Sequence, residues 1–266
     1  MTRGTPETTA DGKSSLLGSL QYLLHLTHVR MRQDVRAYSL GLVWWYLDPV
    51  INTLVLYWVV AVVLGLRTDD MMIFLLTGLL MFRYLQGTIT QSCNSLNPAM
   101  TLSSRVYVPK LAFVLRDVLA ETLKFVIGVA FLLMLALVLG NFHASALEVI
   151  AVIAVAVVFA TGAATLVSFA SALVRDVRPV IGYVFRALFF LSGTFFALDK
   201  VPEEWRTVFL LNPFALLMHE FRLAVNSSQG LDWGLLGALF LVSSILTAIG
   251  VTALVRFDRK FPKYMI

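Results

Sequence analysis

A chain of 266 residues that is 59% hydrophobic and only 14% charged, with a mean hydropathy of +0.82, lies far from a soluble domain, where about 25% of residues are charged. Its net charge of +5 reads as membrane orientation, with nucleic-acid binding a poor second. Cys93 is the lone cysteine, which excludes an internal disulfide and a cysteine-based metal cluster.

Residues 1–15 form a polar tail with no apolar run ahead of a cleavage site, so the first membrane span is expected to target and anchor the chain. Residues 16–38 follow as an amphipathic helix. Leu17, Leu20, Leu24, Met31, Val35 and Tyr38 recur at helical spacing, while Arg30, Arg32 and Arg36 occupy other faces. Such a helix lies in the cytoplasmic interface, its cations toward headgroups or a partner protein. Residues 39–266 read as one transmembrane domain. Six apolar stretches, about 40–66, 71–95, 111–139, 147–173, 180–198 and 235–255, meet or approach the roughly 20 residues needed to cross about 30 Å of hydrocarbon.

Span one is rich in aromatics (Trp44, Trp45, Tyr46, Tyr57, Trp58) and carries Asp48, while span two carries Arg83. Both charges fall roughly 11–12 Å from the inner edge at about 1.5 Å per residue. An unpaired charge in hydrocarbon is costly, so an Asp48–Arg83 ion pair is expected. Loop 97–110, NPAMTLSSRVYVPK, is polar and basic; it suits a surface helix presented to a soluble subunit and a plain connection equally well. In span three, Glu121 and Lys124 at i,i+3 neutralise each other. Span four places Ala156, Ala160, Ala164, Ser168 and Ala172 at every fourth position, a packing ridge without chemistry.

Span five holds Phe185, Phe189, Phe190, Phe195 and Phe196, with Phe185, Phe189 and Phe196 on a common stripe. Arg186 has no evident partner in that span; it faces water or snorkels toward the cytoplasm. The aromatics of spans one and five have two readings. One is an interfacial belt with a lipid-facing core, the other a conduit whose ring faces slide along the C–H faces of sugars. Between spans five and six, Pro202 sits where a helix starts, Glu203 and Glu204 suit its positive end, and Pro213 after Asn212 interrupts it. Two helices of roughly 15–18 Å follow, too short to cross, and form a re-entrant or surface hairpin on the outer side.

Cations set the orientation. Arg105, Lys110, Arg116, Arg175, Arg178, Arg256, Arg259, Lys260 and Lys263 share one side with the N-terminal arginines, against Arg67, Lys200, Arg206 and Arg222 on the other. Both termini are therefore expected in the cytoplasm. No H-E-x-x-H, no G-x-S-x-G and no complete phosphate-binding loop occur, so no catalytic residue, metal site or nucleotide site is assigned to the chain.

Several segments together resemble the membrane subunit of bacterial ATP-binding-cassette polysaccharide exporters, the permeases for capsule, O-antigen and teichoic acid chains. They are RAYSLGLVWWYLDP at 36–49, FLLTGLLMF at 74–82, RDVLAETLKF at 116–125, RDVRPV at 175–180 and FALDKVPEEWRTVFLLNPFALLMHEFR at 196–222. The resemblance runs from about residue 16 to the C-terminus. It implies a homodimer in a bacterial inner membrane, joined to two copies of a separate ATPase that binds ATP and magnesium, and a channel between protomers lined by spans one and five. Trp44, Trp45, Tyr57, Trp58, Phe185, Phe189 and Phe196 would line it. Arg30, Arg32, Arg36 and Arg186 would meet the phosphates of a lipid-linked glycan, and Arg105, Tyr107 and Lys110 the ATPase. The fold expected is thus an all-α polytopic protein of six transmembrane helices with an interface helix and an outer hairpin. Export of a drug or small amphiphile is the alternative. An ion-coupled transporter ranks lower, because intramembrane acids are few and no half-chain repeat is visible.

Overall fold

The computed structural model describes residues 12–36, 43–63, 65, 70–96, 109–139, 145–174, 176–226 and 230–257. Among them are nine α-helices and no strand. They are α1 (Gly12–Arg36), α2 (Val43–Tyr57, continued by a π-helical turn at Trp58–Val63), α3 (Met71–Ser92), α4 (Lys110–Val138), α5 (Ala146–Leu173), α6 (Val177–Leu191), α7 (Glu203–Leu210), α8 (Pro213–Asn226) and α9 (Trp233–Phe257). Arg105, Tyr107, most of loop 97–110 and the terminal segments lie outside the described residues.

Helix ends follow from sequence chemistry. Pro109 precedes α4, and Asn212 caps α8 by accepting Phe214 N–H at 3.0 Å, with Pro213 at the first helical position where its missing N–H costs nothing. Asp232 caps α9, its Oδ1 accepting the N–H groups of Gly234 and Leu235 at 3.0 and 3.1 Å. The break between α7 and α8 falls where Pro213 predicts it, and the two helices meet at 99°.

Among the described residues, four helices are long and apolar enough to cross a membrane: Met71–Ser92, Lys110–Val138, Leu147–Leu173 and Trp233–Arg256. They are spans two, three, four and six of the six expected, and the bent α7–α8 pair, counted as one span, would be a fifth outside that set. Spans one and five are not among them. In span one the described residues are helical from Val43 to Val63, with Pro49 inside α2, a π-helical turn from Trp58 and an apolar part at Leu47–Val63, while residues 37–42 lie outside the described ones. Span five stops at Leu191, because Gly193 takes a left-handed φ of 69° and turns the chain away. The resulting α6 has 15 residues, about 22 Å, and Phe195 and Phe196 lie beyond its end.

Helix α3 is the axis of the molecule, packed by α2, α4, α5, α6 and α8. Its Leu76, Leu80, Met81, Phe82 and Leu85 enter one core with Phe125 and Leu132 of α4, Phe185 of α6 and Leu217 and Phe221 of α8. The tightest pair is α5 with α9. A Cβ at Gly162 would lie 2.8 Å from Thr247 N, and one at Gly250 would collide with Thr165 Oγ1, so these backbones approach as only glycine allows. Of the small-residue ridge of span four, Ala156, Ala160, Ala164 and Ser168 are buried and Ala172 is partly buried.

Candidate functional site

Helices α1, α2, α3 and α4 enclose a cleft of about 850 Å³. On α3 its wall is a polar stripe through an otherwise apolar helix: Arg83, Gln86, Gly87, Thr90 and Gln91 recur at spacings of three and four and so share one face. Glu121 and Lys124 face it from α4, Arg30 and Asp34 from α1, and Trp44, Asp48 and Pro49 from α2. Helices α3 and α4 run antiparallel there. Tyr84 Oη meets Thr122 Oγ1 at 3.0 Å, the ring stacks on Phe125 at 4.5 Å, and Ser95 reaches Asp117 further along.

The charges of the cleft are paired across helices. Arg83 Nη1 binds Asp48 Oδ2, and Asn52 Nδ2 donates to the other carboxylate oxygen at 3.1 Å, so the expected contact between α2 and α3 is present. Lys124 Nζ donates to Glu121 Oε1 and to Asp34 Oδ2, each at 2.7 Å. The pair read from spacing within span three is therefore part of a three-way contact that also holds α1. Arg30 Nε lies 3.5 Å from Asp34 Oδ1 and 4.0 Å from Asp117 Oδ1. Buried Asp117 further accepts Ser95 Oγ at 2.5 Å and Arg116 Nη2 at 2.8 Å. Asp34, Asp117 and Gln91 escape a residue-by-residue reading. Their signal is relational: Asp34 is four residues after Arg30, and Asp117, Glu121 and Lys124 follow one another at helical spacing.

The other sequence-based candidates scatter. Arg32 is exposed on α1 and Lys110 is partly buried at the start of α4; the side chains of Arg36 and Trp45 lie outside the described residues. Tyr57 and Trp58 stand out from the end of α2, Trp58 with 60% of its surface exposed. Arg186 is exposed on α6 and covers Tyr183, its guanidinium 5.3 Å from the ring centre, so it does have a partner in its own helix.

Phe185, Phe189 and Phe196 do not form one channel-facing stripe. Phe185 is 2% exposed and packs edge-on against Phe82 and Phe214; partly buried Phe189 also rests on Phe82, at 5.4 Å. Phe196, past the end of α6, packs on Phe195 and Phe209. The rings bind α6 to the core because α6 is too short to carry all three on one helical face. Exposed aromatics that remain on α6 are Tyr183 and Phe190.

At the far end of α3 from Gln91, Arg222 of α8 is the organising residue. Its guanidinium donates to the carbonyls of Gly193 and Thr194, each at 2.8 Å, and to those of Phe74 and Phe196 at 3.3 and 3.4 Å, and lies 3.7 Å from the centre of the Phe74 ring. One side chain thus fastens α8 to α3 and to the turn that ends α6.

Residues 23–226 match the ABC-2 type transporter family. The chain is 22% identical over 254 residues to the O-antigen export system permease protein RfbA of Klebsiella pneumoniae, covering 93% of this chain and 97% of that one. It is likewise 22% identical over 229 residues to the RfbA permease of Myxococcus xanthus, covering 84% and 87%, and 22% over 227 residues to the polysialic acid transport protein KpsM of Escherichia coli, covering 83% and 87%. With a match across most of its length and an all-helical body of membrane-crossing length, the chain belongs to the ABC-2 transporter membrane family.

Proposed function

We propose that this chain is the channel-forming subunit of an ATP-driven exporter that carries a lipid-linked polysaccharide from the cytoplasmic to the outer face of a bacterial inner membrane. The observation that carries this reading is the near end-to-end similarity to an O-antigen export permease, 93% of one chain on 97% of the other. Two copies form the conduit, and two copies of a separate ATPase bind ATP and magnesium. Both termini are cytoplasmic, in keeping with the cation asymmetry.

The geometry supports a route for the power stroke. At 29 residues α4 is about 44 Å long, roughly 13 Å more than the hydrocarbon core, so its Lys110 end with Arg116 and Asp117 stands among headgroups. Helix α1 docks at that level through Arg30 and Asp34 and is the interface helix of the sequence reading. The ATPase presses on α1 and on loop 97–110, where Arg105, Tyr107 and Lys110 meet it, and the ion pairs pass the displacement to α4. Arg30, Arg32, Arg36 and Arg186 draw the substrate's phosphates to the inner face. The exposed aromatic surfaces of α2 and α6, with Trp44, Tyr57, Trp58, Tyr183 and Phe190, then face each other across the dimer as the path of the sugar chain. The α7–α8 pair forms the outer hairpin that closes the exit.

Purification of the tagged chain from its native membrane in mild detergent tests this. A stoichiometric ATPase partner with magnesium-dependent ATP hydrolysis is the expected result. A chain that emerges alone, under conditions that keep other transporter complexes intact, overturns it.

A further inference from the structure

The cleft between α1, α2, α3 and α4 has a chemistry that passage of a glycan does not require. Its charges balance, with Arg30, Arg83 and Lys124 set against Asp34, Asp48 and Glu121. It therefore favours a single phosphate with an ammonium beside it over a polyanion, since the acids repel further phosphates. Polarity is also graded along its length. The α3 wall passes from Gln91 and Thr90 through Arg83 to Leu80, and the antiparallel α4 wall from Glu121 and Lys124 to Phe125 and Gly128.

The polar end lies beside α1; on the placement of α4 proposed above, on which this inference rests, that end is near the edge of the hydrocarbon and the apolar end lies deeper. The pairs stay reachable from within the cleft, for the Asp48 side chain is 50% exposed and that of Arg83 34%. A volume of about 850 Å³ falls within the roughly 300–1,000 Å³ of small-ligand sites and has room for a headgroup with its glycerol backbone.

We propose that this cleft binds a zwitterionic phospholipid with a primary ammonium, of the phosphatidylethanolamine type. Its phosphate lies toward Arg83 and Lys124, its ammonium toward Asp48 and Glu121, and its acyl chains leave past Leu80 and Gly128. A primary ammonium suits the site better than a quaternary one. Carboxylates accept its N–H bonds, whereas choline needs a cage of aromatic faces, and this wall offers Trp44, Tyr84 and Phe125 on separate helices. The lipid would extend the contact of α1 with the transmembrane helices.

The test uses the full chain reconstituted with equal amounts of phosphatidylethanolamine, phosphatidylcholine and phosphatidylglycerol, followed by native mass spectrometry of the lipid it retains. One phosphatidylethanolamine per chain, held about tenfold over the other two, is expected, a discrimination of about 1.4 kcal/mol. Replacing Asp34→Asn and Glu121→Gln together leaves a cationic cleft and should move the preference to phosphatidylglycerol. A photoreactive phosphatidylethanolamine should label residues 83–91 and 121–128 in the native chain. Labelling should be lost in Gly87→Leu, where the added side chain runs into Glu121 Oε2, already 3.1 Å from a Cβ at that position. Soluble phosphoethanolamine should not displace the lipid. Equal or better retention of phosphatidylglycerol by the native chain, labelling confined to other helices, or displacement by the soluble headgroup would each overturn the assignment. Should the variants fail to fold, the lipid ranking and labelling map of the native chain decide alone.

Discussion

Arg222 buries its guanidinium against four backbone carbonyls and a phenylalanine ring, and the room for it comes from Gly78. A Cβ at that position would collide with Arg222 Nη2 and lie 2.8 Å from Thr194 O. Gly78→Ala should therefore destabilise the chain by about 1–3 kcal/mol, the usual cost of overpacking, read as a lower melting temperature in detergent. Arg222→Leu should cost at least as much, because each buried carbonyl left unmet costs about 1–3 kcal/mol, while Arg222→Lys keeps the charge but not the fork and should fall between. The Asp48–Arg83 pair makes a different prediction. It is partly exposed, so each single reversal should lower stability modestly, and the double exchange Asp48→Arg with Arg83→Asp should recover most of the loss. A thermal-melting double-mutant cycle measures this, with a coupling of about 1 kcal/mol expected and additivity counting against the pair.

At the scale of elements, the closest approach is between α5 and α9, and glycine permits it. Gly250→Val and Gly162→Val should each force the helices apart and lower the melting temperature by several degrees. Gly237→Ala on the same α9 meets nothing within 4 Å and should be neutral to within about 0.5 kcal/mol, or slightly stabilising through helix propensity. Of these features, the ridge on span four was legible in the sequence as a repeat of small residues. The contact of that span with α9 was not, since Gly162 and Thr165 on another face of α5 meet Thr247 and Gly250 only after two helices distant in sequence are laid together. The bent α7–α8 pair was legible in its parts, because Pro202, Asn212 and Pro213 act locally on the backbone. The early end of α6 was missed, because Ser192-Gly193-Thr194 interrupts the apolar run of residues 180–198 only briefly, and the turn there is held by Arg222, distant in sequence.

For the whole molecule, the proposed function makes the exposed aromatic faces the path of the sugar chain. Trp58→Ala should lower glycan export by up to about tenfold, the weight of one aromatic contact of about 0.5–1.5 kcal/mol, while leaving association with the ATPase intact. Export measured in a strain that depends on the chain, beside co-purification, separates the two readouts. Unchanged glycan export would move the path of the sugar chain away from α2. Phe185→Ala should instead behave as a core truncation, costing about 3–5 kcal/mol and reducing the amount of folded protein.

By itself the sequence determined that this protein lives in a membrane, is helical and carries charges in its spans, because hydropathy and helix periodicity are sums over neighbours along the chain. It determined the Asp48–Arg83 contact as well, since two costly charges at one depth have few ways to be satisfied. Tertiary structure alone decided which phenylalanines face outward and where the short α6 stops. It also decided that Arg30, Asp34, Glu121 and Lys124 close on one cleft with Asp48 and Arg83. Those outcomes depend on which helix lies against which, and hydrophobic packing in a bilayer is too weakly directional for one helix's own sequence to reveal its neighbour.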